Sequence, residues 1–88
     1  MTEIKTQNTV RAIKNTNGSA ILIYRADLTE THKYSICIEQ YSGGRLQCAA
    51  SVDTNITNTE SADRLLLEMC MGQLEPCHLK DVIEDMDL

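Results

Sequence analysis

The sequence predicts an α+β domain: an antiparallel sheet of three strands, with a candidate fourth ahead of them, followed by two helices. The first helix is expected to pack on one sheet face. Three observations carry this. Alternating apolar runs bounded by turn residues fill most of residues 9–53. Apolar residues then recur at helical spacing up to about Met71. A second helical stripe follows the single proline, Pro76.

Residues 1–7, MTEIKTQ, are expected as a ragged terminus of one domain spanning residues 1–88. The weak strand candidate runs from Thr9 to Lys14 and ends at Asn15-Thr16-Asn17-Gly18, where Asn-Gly is a strong hairpin signal. AILIYRADL, Ala20 to Leu28, is a strand with Ile21 and Ile23 on one face and Leu22, Tyr24, Ala26 and Leu28 on the other. Apolar residues on both faces predict a central position. In KYSICIEQY, Lys33 to Tyr41, residues Tyr34, Ile36 and Ile38 share a face. A three-residue loop at Ser42-Gly43-Gly44 would set Gln40 opposite Leu46, Ile38 opposite Cys48, Ile36 opposite Ala50 and Tyr34 opposite Val52. Cys37 and Cys48 then lie on different faces, so they are expected as unbonded packing residues.

Thr57 with Glu60 matches a capping box, and Gly72 suits a left-handed helix stop. Between them Ala62, Leu65, Leu66, Met69 and Cys70 form one stripe at 100° per residue. Leu67 and Met71 lie beside it, extended by Leu74, and predict a second buried seam. Pro76 fits the first turn of the last helix, where a missing N–H costs nothing. Its apolar stripe is Leu79, Val82, Ile83 and Met86; His78, Asp81, Glu84 and Asp85 point away. Docking that stripe near Leu67, Met71 and Leu74 would bury both seams.

Composition narrows function more than it assigns it. Eighty-eight residues bury only about 60–65% of the surface of the unfolded chain, which disfavours a deep pocket. Three Tyr, no Phe and no Trp cannot build a stacking surface for single-stranded nucleic acid. Net charge is −5, with two Lys/Arg against nine Asp/Glu in residues 51–88. An acidic chain repels phosphate backbones, so nucleic acid is not an expected partner. No apolar run approaches the roughly 18 residues of a membrane span, and MTEIKTQNTV lacks a signal-peptide core. A cytoplasmic protein with four reduced cysteines is the expectation.

The favoured function is a non-enzymatic protein-interaction module without a cofactor. Its contact surface would be His78, Asp81, Glu84 and Asp85, facing a basic protein partner. Negative charge near a helix C-terminus opposes the helix dipole, and its presence there hints at use in binding. The strand apolar on both faces also predicts a homodimer that covers the face without helices. The alternative is a thiol- or metal-dependent site at Cys70, Cys77 and His78. A structural zinc site wants four ligands in short paired spacings; here there are three, and a fourth would have to come from His32, in a loop whose distance the sequence does not give. Cys77 in the first turn of a helix is placed for a lowered thiol pKa, which Glu75 and Asp81 oppose. No catalytic acid–base pair can be read, because the polar helix face offers no enclosing cleft.

The tail LEPCHLKDVIEDM resembles the C-terminal block of an uncharacterised family of small clostridial (Firmicutes) proteins, a domain of unknown function. In that family a helix ending near a Cys-Asn-like pair precedes a Leu, a Ser-Pro step and a His-Leu-Arg/Lys-Asp-Val-Val/Ile-Glu-Asp helix. Cys70, Leu74, Pro76 and the run His78 to Asp85 match it. Glu75 stands where the family has a capping Ser, and Cys77 where it has an aliphatic residue. The resemblance covers about the last third of the chain. It implies a fold and an organism class, and brings no activity, substrate or cofactor.

Overall fold

The computed structural model describes residues 9–88, so the ragged terminus expected over residues 1–7 lies outside the described residues. Four strands, β1 (Thr9–Asn17), β2 (Ala20–Leu28), β3 (Tyr34–Ser42) and β4 (Arg45–Asp53), form one antiparallel meander in the order β1-β2-β3-β4. Helix α1 (Thr59–Met71), a 3₁₀ turn (Pro76–His78) and helix α2 (Leu79–Asp85) follow. The fourth strand is real and spans the whole first hairpin arm. As its two apolar faces predicted, β2 lies inside the sheet.

The first hairpin turns on Gly18-Ser19, since Asn17 pairs with Ala20. Only Gly18 takes a positive φ, 64°, the pattern of a II′ turn whose twist suits the flanking strands. The second hairpin corrects the expected register. Gly43 and Gly44 alone form the turn, both at positive φ, and Ser42 pairs with Arg45. A bulge at Gln47 then sets Gln40 opposite Cys48, Ile38 opposite Ala50 and Ile36 opposite Val52. This is a slip of two residues from the expected pairing, so Cys48, Ala50 and Val52 keep their face. Leu46 does not: ahead of the bulge it lies opposite Tyr41 and shares that residue's face.

One sheet face carries Leu22, Tyr24, Ala26, Tyr34, Ile36 and Ile38, all buried. Both helices lie on it, α1 over β1 and β2, the 3₁₀ turn and α2 over β3 and β4. The α1 residues Ala62, Leu65, Leu66 and Met69 complete the core, with Leu79 and Ile83 from α2 and Ile56 from the link. Each Leu or Ile so buried contributes about 1.5–3 kcal/mol of transfer free energy.

The second seam forms differently from the expectation. Leu67 is 45% exposed and Met71 83% exposed. The helices sit side by side on the sheet, and α2 lies along the opposite flank of α1. There Leu65, Met69, Leu74, Val82 and Met86 line a shallow groove between them. Leu67 and Met71 face outward because α2 is held over β3 and β4 by Leu79 and Ile83.

The helix ends also differ in detail. Asn58 caps α1: its Oδ1 accepts from the N–H groups of Glu60 at 2.7 Å and Ser61 at 3.2 Å. The expected Thr57 box is not the cap. Gly72 keeps a right-handed φ of −85°, and the left-handed residue is Gln73, at φ 54°. Leu74 N–H then bonds the Met69 carbonyl and Gln73 N–H that of Cys70, a Schellman closure. Helix α2 ends likewise, with Asp87 at φ 59°, Leu88 N–H on Ile83 and Asp87 N–H on Glu84. Leu88 folds back to pack against the core, and its carbonyl accepts from Asn55 N–H at 2.8 Å.

Candidate functional site

Helix α2 is seven residues long and is seated by buried Leu79 and Ile83. The turn before it is seated by Pro76, which is fully buried. This leaves His78, Asp81, Glu84 and Asp85 exposed, as their wheel positions predicted. Among the described residues none of Asp81, Glu84 and Asp85 enters an ion pair, and the last turn of α2 holds no basic residue.

Beside this face is an open depression of about 600 Å³ between β4 and α2. Val52, Ile83 and Leu88 line it together with Asp53, Lys80, Glu84 and Asp87. The acidic surface is therefore wider than a single helix face. Sequence reasoning gave Asp53 no part in it. Asp53 ends a strand, and only the placement of α2 along β4 brings it to the same hollow as Glu84. No spacing in the sequence signals that placement.

The expected thiol site is partly assembled. Ligand atoms of Glu75, Cys77 and His78 lie within 4.8 Å of one another, all three residues exposed. Cys70 is not in this group. It is half-buried on α1, and its carbonyl accepts from Asn15 Nδ2 at 2.7 Å. His32 sits exposed in the loop between β2 and β3, at φ 63°. All four cysteines are free. Cys37 is buried as expected of packing sulfur, whereas Cys48 is exposed on the edge strand, near the hairpin end of β4.

The sheet face without helices has its own electrostatics. Arg25 Nε contacts Asp27 Oδ2 at 3.2 Å, and another guanidinium nitrogen lies 3.6 Å from Glu39 Oε1. Burial lowers the Arg25 pKa, but the neighbouring carboxylates, Asp27 foremost, outweigh it and leave the net shift upward. Cys37, opposite Arg25 in the ladder, has its thiol pKa pushed up by burial, against the opposing pull of Arg25. Towards the hairpin turns the same face becomes apolar, with Ile21, Tyr41 and Leu46 in one cross-strand row. Leu46 is 53% exposed. No helix of the described residues is long and apolar enough to cross a membrane.

Comparison with known proteins returns one family. The model described as a family of unknown function (DUF6514) matches residues 3–87. No curated protein and no solved structure matches the chain.

Proposed function

The chain belongs to that family of unknown function, DUF6514, and from its own surface we propose that it is a non-enzymatic protein-interaction module. Its contact surface is the acidic face of α2, continued into the hollow beside β4, and its partner is a protein with a Lys/Arg-rich surface. One observation carries the reading: Asp81, Glu84 and Asp85 stand exposed and without ion pairs among the described residues, and Glu84 and Asp85 lie in the last turn of a helix whose dipole disfavours them there. A partner's cation would relieve that repulsion. A Lys or Arg side chain is long enough to lay its methylene stem on Val52 and Ile83 while its charge meets Asp53, Glu84 and Asp87. His78 borders the same surface. On this reading the protein works in a bacterial cytosol of the Firmicutes type, as the C-terminal block suggests.

The test is partner capture with the wild-type protein and with a variant carrying Asp81→Asn, Glu84→Gln and Asp85→Asn. The reading expects the variant to fold normally and to lose the partners that the wild type retains. Equal recovery by both proteins would overturn it.

The apolar row Ile21, Tyr41 and Leu46 favours a second contact, a homodimer formed face to face through the sheet. Four strands of nine residues present a face of about 500–600 Å² at standard strand spacings. Doubled across a two-fold axis, that reaches the roughly 1,000 Å² of a specific interface.

A further inference from the structure

We propose that Glu75, Cys77 and His78 form a surface site for a zinc-class divalent cation, with a fourth coordination position left open. The site shares His78 with the border of the acidic contact surface, but it needs no partner and uses none of Asp81, Glu84 or Asp85.

The donor set is one carboxylate oxygen, one sulfur and one imidazole nitrogen, and these atoms already lie within 4.8 Å of one another. In a tetrahedral zinc site, bonds of about 2.0–2.3 Å put neighbouring ligand atoms roughly 3.3–3.8 Å apart. Closing the observed set onto an ion therefore asks for at most about 1–1.5 Å of side-chain movement. All three side chains are exposed and free to make it.

Their backbone, in contrast, is held. The three ligands come from a four-residue span whose remaining member, Pro76, is fully buried in the turn that packs on β3 and β4. His78 N–H donates to the Glu75 carbonyl at 3.0 Å, and Leu79 N–H to that of Pro76. A locked turn of this kind has little chain entropy left to lose when a cation binds. The expected set of Cys70, Cys77 and His78 is thus revised at one position: Glu75 takes the place of Cys70, which lies outside the cluster.

Ligand softness selects the ion. A thiolate and an imidazole suit zinc, and they disfavour calcium and magnesium, which require mostly oxygen ligands. Three protein ligands with one open position is the arrangement that keeps water or an incoming ligand on the metal.

The experiment is a titration of the reduced full chain with Co²⁺, followed by displacement with Zn²⁺. The expected result is one Co²⁺ per chain with a thiolate-to-metal charge-transfer absorption, bleached by Zn²⁺ and unaffected by excess Ca²⁺ or Mg²⁺. Cys77→Ala should abolish that absorption, and His78→Ala should weaken binding by about tenfold or more. Cys48→Ala and Cys70→Ala should leave both unchanged. Circular dichroism of each variant checks that the fold is intact. Absence of saturable binding, or a charge-transfer band that survives Cys77→Ala, would overturn the proposal. Neither outcome bears on the acidic surface, whose test uses different residues and no metal.

Discussion

The hydroxyl of Tyr24, at the centre of the sheet, donates to the backbone carbonyl of Leu74 at 3.0 Å. Tyr24 has no exposed surface, and Leu74 lies in the short joint between the two helices. The bond therefore ties the floor of the molecule to the segment that sets where the 3₁₀ turn and α2 begin. Asn15 reinforces it from the next strand through the Cys70 carbonyl. Tyr34 makes a parallel tie at the other end of α1, its hydroxyl 2.6 Å from Thr59 Oγ1.

Removing that hydroxyl should loosen the joint without leaving a large cavity. Tyr24→Phe is expected to cost about 1–2 kcal/mol, the usual effect of deleting one buried hydrogen bond. Urea denaturation of the two proteins measures it. An unchanged midpoint would mean that the Tyr24 hydroxyl does not hold the joint.

The same tyrosine predicts a stability loss in alkali. Burial, with the nearby Cys70 and Glu75 adding to it, pushes the Tyr24 pKa up from 10.0 to about 12. The folded state then holds the phenolic proton more tightly than the unfolded chain. The contribution is complete below pH 10 and is lost as pH rises towards 12. Denaturation midpoints should fall more steeply across this window for the wild type than for Tyr24→Phe.

Both helices close on left-handed residues that are not glycine, Gln73 and Asp87. Asp87 also adds negative charge just past the end of α2, against the dipole. Asp87→Gly should relieve both and raise stability by about 1 kcal/mol. Asn58→Ala at the start of α1 should lower it by about the same amount. Thermal unfolding of the pair should shift in opposite directions.

The open sheet face predicts self-association that depends on Leu46. Leu46→Asp should leave monomer stability within about 0.5 kcal/mol, because the side chain is largely exposed. Sedimentation should find the wild type dimeric and the variant monomeric. A wild type that stays monomeric at high concentration would remove the dimer from the account.

Much of the architecture was legible because alternation and helical spacing decide which side of an element is apolar. The α1 stripe and the inward residues of β2 and β3 follow directly from that pattern. What escaped was local. Gly43-Gly44 permits more than one hairpin loop, so the two-residue turn and the bulge at Gln47 could not be distinguished, and Leu46 was assigned to the wrong face. Thr57, Asn58 and Thr59 are three cap-forming residues in a row, and only the conformation of the chain selects Asn58. Left-handed Gln73 is an uncommon residue for that geometry, so its neighbour Gly72 carries the expectation instead. The acidic helix face was visible from the sequence. Its extension to Asp53 needed the docking of α2 along β4.

Salt dependence of partner binding tests the acidic surface most directly. Raising salt from about 0.1 M to 1 M shortens the screening length from about 10 Å to about 3 Å, which weakens exposed charge pairing while sparing apolar contacts. The account predicts that partners captured at low salt are released across this range, and that neutralising Asp81, Glu84 and Asp85 has the same effect. Partners retained equally at both ends of the range would contradict it.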